Sequence, residues 1–243
     1  MLNKSYKEFS QIYDLLMNDV DYDKWTSFIT DKIKGSKKIL EAACGTGSVT
    51  RMLATLDYRV TAFDLSQDML MRANEKIGRN PGIKLLNMDM ADFKIDDKFD
   101  AAICCCDGVN YITENEAERF FKNIYNHLED NSRFIFDIST KYKYDRMFND
   151  TYVYDDGDIF YVWENMHDEE SSSVNVEINF FVQDSLNKYS RINEVQTQYV
   201  HSTNTMTRLL EKSGFSDIEI YDDYNEGPLK DDSLRAVFCA FKK

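Results

Sequence analysis

Acids and glycines at strand-end spacing are the first chemistry this chain offers. The run Glu41-Ala42-Ala43-Cys44-Gly45-Thr46-Gly47 sets one carboxylate and two glycines just after the apolar pair Ile39 and Leu40. An apolar stripe at Val49, Met52, Leu53 and Leu56 follows at helical spacing. A strand, a Gly-x-Gly turn and a helix in that order open a nucleotide-binding sheet, and the missing side chains leave room for a ligand across the loop. A dinucleotide fingerprint needs a third glycine three residues after the second. Thr50 stands there, and there is no Gly-Lys-Ser/Thr run to cradle a phosphate. The loop suits an adenosine ligand without a pyrophosphate.

Further acids fall where such a ligand needs them. Asp64 closes the run Arg59-Val60-Thr61-Ala62-Phe63. A carboxylate there accepts from both ribose hydroxyls, or caps the next helix. Asp89, in Asn87-Met88-Asp89-Met90, either accepts from an adenine amino group with a methionine on the ring or is a loop acid beside core methionines. Cys105-Cys106-Asp107-Gly108-Val109-Asn110-Tyr111 ends a fourth strand, the end that opens toward reacting groups. Cys104, Cys105 and Cys106 read as buried, inert strand, since apolar surroundings raise a thiol's pKa.

A βα framework must position these groups. Apolar segments at 38–43, 59–63, 83–87, 99–105 and 133–138 alternate with helical patterns at 47–56, 66–77 and 114–128. Two amphipathic helices near 6–17 and 21–34 precede them. The pattern implies an α/β, Rossmann-like doubly wound domain with a mainly parallel seven-stranded sheet. After Ser139 come extended Tyr-, Phe- and Val-rich segments at 151–155, 158–165, 173–184 and 189–200, divided by turns at 156–157, 168–172 and 184–187. A helix over 203–213, ended by Gly214, and strands at 215–221 and 234–241 restore the first rhythm. The expected organisation is one α/β domain from 1–138 and 201–243, with 139–200 as a small antiparallel β insertion after the fifth strand. Its aromatics Phe160, Tyr161, Trp163, Phe180 and Phe181 line a pocket, form a subunit interface or pack on their own domain. The acids at 155, 156 and 158 read as a solvated turn.

Composition narrows the partners. The 243 residues carry a formal charge of −14, which repels nucleic-acid phosphates and acidic membranes, so neither is expected as a partner. No apolar run approaches the ~20 residues of a membrane span, and the N-terminus lacks the apolar core of a signal peptide. Five cysteines, three of them adjacent, do not make a disulfide framework or a metal site, because strand neighbours face opposite ways. The expected setting is the reducing cytoplasm.

Together, Glu41 to Gly47, Phe63-Asp64-Leu65-Ser66-Gln67-Asp68-Met69-Leu70, Asp89-Met90, and Phe99-Asp100 with Cys106 to Tyr111 resemble the ordered motifs of class I S-adenosylmethionine-dependent methyltransferases. Phe9-Ser10-Gln11-Ile12-Tyr13-Asp14 and Asp21-Tyr22-Asp23-Lys24-Trp25 also match, as in a bacterial small-molecule subgroup with a β-sheet insertion, similar in layout to aminosugar N-methyltransferases. The resemblance implies that Glu41, Gly45 and Gly47 shape the methionine and ribose pocket, with Ala43 and Cys106 in the same cofactor site. It implies that Asp64 holds the ribose, that Leu65 flanks the adenine and that Asp89 with Met90 binds it. Tyr13 and Trp25 would lie near the methionine end. Three departures stand out: Ala43 where glycine is commoner, Glu129-Asp130-Asn131-Ser132 in place of Lys-Pro-Gly-Gly, and Asp107-Gly108 in place of Asp-Ser.

The implied reaction is a direct in-line displacement that moves a methyl group to N or O of a small-molecule acceptor and leaves S-adenosylhomocysteine. It needs no metal, only alignment at near-contact distance. The sulfonium favours aromatic faces, and Tyr6, Tyr13, Tyr22 and Trp25 supply them unless they only pack helices. Where the acceptor must lose a proton, Asp107 is the first choice of base unless it caps a helix or orients a group, with Tyr13 beside it; His127 reads as a helix-end residue, and His167 and His201 either pack structurally or face the acceptor pocket. A non-catalytic adenosyl-binding module is the alternative, a nicotinamide oxidoreductase a distant third, and a homodimer stays open.

Overall fold

The computed structural model describes residues 5–155, 157, 159–183 and 187–243, with side chains of the first helix described for Ser10 and from Ile12 onward. The expectations for Tyr6, Asp156 and Asp158, and for most of the 184–187 turn, fall outside them. Seven helices and eleven strands are described. Helices α1 (Ser5–Leu16) and α2 (Tyr22–Lys32) lead into β1 (Lys38–Ala42), α3 (Ser48–Thr55), β2 (Arg59–Asp64), α4 (Gln67–Ile77) and β3 (Ile83–Asn87). Then come β4 (Phe99–Cys104), α5 (Glu114–His127), β5 (Leu128–Ser139) and the short α6 (Lys141–Met147). Strands β6 (Tyr152–Asp155), β7 (Ile159–Asp168), β8 (Ser173–Gln183) and β9 (Tyr189–Tyr199) precede α7 (Thr203–Ser213), β10 (Ser216–Asp222) and β11 (Arg235–Lys242).

Local sequence sets most of these boundaries. Asp21, Ser66 and Ser202 cap α2, α4 and α7 by accepting a backbone N–H, and Thr113 with Glu116 forms a reciprocal capping box on α5. Gly214 ends α7 in the left-handed conformation.

The large sheet runs β10-β11-β5-β4-β1-β2-β3, parallel except for β11, which is antiparallel to both neighbours. The chain builds outward from β1 to β2 and β3, then returns to place β4 on the other side of β1. The C-terminal ends of β1 and β4 thus flank the point where strand order reverses, where open α/β sheets bind ligands. Period-two alternation sends Leu40, Ala102, Phe134 and Phe136 to one face, under α5 and α7. Ile39, Ala101, Ile103 and Ile135 go to the other, under α2 and α3.

The second sheet is antiparallel, in the order β6-β7-β8-β9. Val174, Val176, Ile178 and Phe180 of β8 and Ile192 of β9 pack on Ile12 of α1, Met69 of α4, and Tyr144 and Phe148 around α6. The insertion is therefore seated across α1 and α4. Two details differ from expectation. The stretch 129–132, read as preceding the fifth strand, belongs to β5, whose pairing with β4 shifts register there while Asn131 takes φ 63°. Helix α6, capped by Thr140, has no counterpart in the sequence reading. No helix among the described residues is long and apolar enough to cross a membrane.

Candidate active site

A cavity of about 720 Å³ opens at the C-terminal ends of β1, β2 and β4, closed over by α1 and the edge strand β9. That size lies within the usual range for small-molecule sites. Its floor begins at Glu41, whose buried carboxylate accepts from the Thr50 hydroxyl at 2.7 Å. Burial lifts its pKa to about 8; the Thr50 hydrogen bond opposes the rise and the charge of Asp64 adds to it. Ala43 then turns into the left-handed region at φ 51°, and Gly45 at φ 54° has open space where a side chain would project.

Asp64, at the end of β2, accepts from the Gly45 N–H and the Ser66 N–H, each at 2.8 Å. Burial raises its pKa while those N–H groups draw it back. Each carboxylate oxygen keeps a second lone pair for a ligand hydroxyl. Leu65 stands exposed on the rim, its backbone carbonyl held by Asn87 Nδ2 at 2.7 Å. Asp89 accepts from the Ala91 N–H at 2.8 Å, capping a short 3-10 turn, and Met88 and Met90 flank it.

Helix α1 is locked to this floor by one cation. Lys76 Nζ donates to Asp14 at 2.8 Å, Thr46 at 2.8 Å and Ser48 at 3.0 Å, while the Thr46 hydroxyl donates to Asp14 at 2.6 Å. Tyr13 is thereby carried into the cavity, with its hydroxyl 3.7 Å from Cys106 Sγ. Burial pushes Tyr13 well above the ordinary tyrosine range and Cys106 up to about 12, so both stay protonated.

Nine expected cofactor residues thus share one cavity: Tyr13, Glu41, Ala43, Gly45, Asp64, Leu65, Asp89, Met90 and Cys106. Gly47 and Trp25 do not stand in its wall. Gly47 caps α3 at φ 73°, and a Cβ there would sit 2.9 Å from Ala73 Cβ of α4, so the glycine serves helix packing. Trp25 is buried in the core, stacked on Tyr224 with ring centroids 4.6 Å apart and lying 4.9 Å under the Arg235 guanidinium.

Asp107 does not stand in that wall either. Its carboxylate accepts from Ser139 Oγ at 2.7 Å and lies 3.8 Å from Lys143, outside the cavity wall. Burial opposes ionisation there, but Lys143, Arg235 and Ser139 outweigh it and hold the group below the ordinary carboxylate range. An acid so stabilised is a poor proton acceptor. It belongs to a buried cluster in which Asp137 pairs with Arg235, accepts from Tyr224 at 2.7 Å and accepts the Asp107 N–H at 2.9 Å. The histidines are structural too: His127, His167 and His201 each bond a backbone carbonyl.

Sequence reading missed the far wall. Tyr111, after β4, and Val195, Gln196, Thr197 and Tyr199 of β9 complete the cavity. Of the three roles read for the insertion's aromatics, pocket lining does not apply to this cavity: Phe180 is buried with Tyr161 and Trp163 packed near it, and Phe160 faces Phe181 at 5.8 Å. For Gln196 the available signal was the alternation Ile192-x-Glu194-x-Gln196-x-Gln198, which puts polar groups on an inward strand face; Val195, Thr197 and Tyr199 lie on the other face and carried no such signal. Among the described residues the wall carries Glu41, Asp64, Asp68 and Asp89, but no lysine, arginine or histidine.

Residues 39–131 match the family model described as a methyltransferase domain. Across 98% of its length the chain is 32% identical to a Bacillus subtilis protein with the provisional name methyltransferase YqeM, covering 97% of it. It is 31% identical, over 45% of this chain and 47% of the other, to a dTDP-3-amino-3,4,6-trideoxy-alpha-D-glucopyranose N,N-dimethyltransferase of Streptomyces venezuelae. The crystal structure of an S-adenosylmethionine-dependent methyltransferase from Clostridium acetobutylicum matches with a TM-score of 0.86 at 32% identity, covering 98% of this chain and 99% of that one. Glycine turn, strand-end acids and whole-chain likeness agree: this chain belongs to the S-adenosylmethionine-dependent methyltransferase family.

Proposed function

We propose that this enzyme methylates nitrogen or oxygen of a small-molecule acceptor by direct in-line displacement. The observation carrying this reading is a single cavity that holds strand-end acids on one side and the tyrosine- and amide-bearing wall of Tyr111 and β9 on the other. The acids fit the cofactor. Asp64 has lone pairs left for two ribose hydroxyls, Asp89 for an adenine amino group, and Glu41 lies below the glycine turn where a cationic methionine end would reach. Leu65 and Met90 flank the adenine, while Ala43, Gly45 and Cys106 bound the rest.

Bound there, S-adenosylmethionine supplies an electrophilic methyl group. The chain's own part is alignment: Lys76 and Asp14 hold α1 so that Tyr13 faces the space between the cofactor side and β9, and the seated insertion excludes water. Tyr13, kept protonated, orients groups as a hydrogen-bond donor rather than acting as a base. Residues 139–200 act as the acceptor cap on the domain formed by 1–138 and 201–243. Five free thiols suit a reducing cytoplasm, and the acidic chain disfavours nucleic acid.

Calorimetric titration with S-adenosylmethionine, followed by transfer of tritiated methyl to glycine, sarcosine, glucosamine and glucose, tests the reading. Saturable binding with transfer to one of these is expected. Binding without transfer to any of them would favour a non-catalytic adenosyl-binding module.

A further inference from the structure

We propose that Tyr111 orients the methyl acceptor, its hydroxyl oxygen accepting a hydrogen from the substrate's nucleophilic amine. This rests on the methyl-transfer reading above and takes the acceptor to be a primary or secondary amine whose N–H meets Tyr111.

Hydrogen bonding through Tyr111 runs in one direction. The Tyr144 hydroxyl donates to Gln198 Oε1 at 2.9 Å, and Gln198 Nε2 donates to the Tyr111 hydroxyl at 2.9 Å. The Tyr111 hydroxyl donates to Gln196 Oε1 at 3.1 Å, and Gln196 Nε2 donates to Glu194 Oε1 at 3.2 Å. Glu194 ends the chain: burial raises its pKa while the Gln196 hydrogen bond draws it back, and as a carboxylate it accepts the Gln196 amide N–H, which leaves the amide oxygen toward Tyr111. Tyr111 must then donate to Gln196, and Gln198 must present its N–H in turn.

A phenol has one hydrogen and two lone pairs. At Tyr111 the hydrogen is committed to Gln196 and one lone pair to Gln198. The function left to the oxygen at the cavity wall is acceptance, which matches an N–H or O–H on the acceptor and repels an oxygen that carries no hydrogen. Asp68, the wall carboxylate not given to the cofactor, and the lack of a lysine, arginine or histidine among the described wall residues favour a cationic acceptor over an anionic one. Tyr111 is 43% exposed, but desolvation of its hydroxyl among Gln196 and Gln198 and the charge of Asp107 push its pKa up, so the phenol stays neutral. Two carboxamides interrupt the chain, so it holds direction without conducting protons. Tyr111 is therefore a positioning residue. During transfer the amine lone pair forms the new N–C bond, the electron pair of the broken S–C bond stays on sulfur, and the surplus proton on nitrogen leaves to water.

Initial rates with tritiated S-adenosylmethionine test this on glycine, sarcosine, glucosamine, glucose and a dTDP-linked amino sugar. The wild-type enzyme is expected to methylate at least one free amine. Tyr111→Phe should raise that amine's KM about tenfold, with the KM for S-adenosylmethionine within twofold. Glu194→Gln, which keeps the packing but releases the polarity, should raise the amine KM severalfold with the same split. An unchanged amine KM in both variants overturns the proposal. So does transfer only to glucose or the dTDP-linked sugar; binding of S-adenosylmethionine with no transfer to any acceptor would count against the methyl-transfer reading. Failure to bind S-adenosylmethionine would instead overturn the methyl-transfer reading beneath it.

Discussion

The methyl group of Ala43 fills the space into which a side chain on Gly108 would project. A Cβ built on Gly108 falls 3.1 Å from Ala43 Cβ and 3.0 Å from Cys104 Sγ. Ala43 meanwhile holds φ 51°, a conformation that costs an L-residue about 1–2 kcal/mol. Glycine and serine are commoner at these two positions among the resembling motifs. Their replacement by alanine and glycine is one compensated packing arrangement at the cofactor end of β1 and β4.

The pair should therefore behave non-additively. Gly108→Ser alone should destabilise by about 1–3 kcal/mol through overpacking against Ala43 and Cys104. Ala43→Gly alone should change stability by less, since relief of backbone strain offsets the lost methyl contact. The double variant should recover at least half of the serine penalty in urea unfolding. Additivity within about 0.5 kcal/mol would refute the compensation.

The two loop glycines should separate stability from binding. Gly47→Ala drives a Cβ to 2.9 Å from Ala73 in a left-handed backbone, so a loss of about 2–4 kcal/mol is expected. Gly45→Ala meets open space and should lose only about 1–2 kcal/mol from its φ of 54°. Its new methyl would face the cofactor side, so calorimetry should show weaker S-adenosylmethionine binding. Equal unfolding free energies for the two variants would contradict this division.

What the sequence discloses here depends on how local the cause is. Glu41, Asp64 and Asp89 are readable because each ends or follows a short apolar strand, and the strand end alone fixes where the side chain lies. Trp25 is not, because a helix pattern shows that a ring is buried without showing against what. Tyr224 and Arg235, from the far end of the chain, decide that. The strand-end position of Asp107 is readable, but its aim is set by left-handed backbone at Cys106 and Asp107 and by Lys143 and Arg235. Gln196 depends on how an edge strand of one sheet meets the other, a relationship without local signal. Helix α6 spans only seven residues, too few for a period to show.

Asp64→Ala should weaken S-adenosylmethionine binding by about 10- to 100-fold, as expected when charge-assisted hydrogen bonds to ribose hydroxyls are lost. Because Asp64 also accepts the Gly45 and Ser66 N–H groups, part of the effect will appear as lower stability. Calorimetry at a temperature where circular dichroism shows full folding separates the two. A dissociation constant within twofold of wild type would remove Asp64 from the ribose site.

Glu41 should make both stability and cofactor affinity depend on pH. Its folded pKa of about 8 stands above the ordinary 4.5, so between those values the empty folded protein binds a proton that the unfolded chain releases. Stability from this group is complete below the unfolded value and drains away as pH rises through 8. Glu41→Gln removes the proton exchange. The wild-type protein should therefore lose ground to the glutamine variant between pH 5 and pH 9 by on the order of a few kcal/mol in urea unfolding. The cationic methionine end of the cofactor favours the ionised carboxylate, so binding should expel the proton. Wild-type affinity for S-adenosylmethionine should then rise with pH, by up to about tenfold per unit below 8, and flatten above it. The glutamine variant should bind more weakly with a flat profile. Parallel pH profiles for the two proteins would show that Glu41 neither titrates in this window nor faces the charged end of the cofactor.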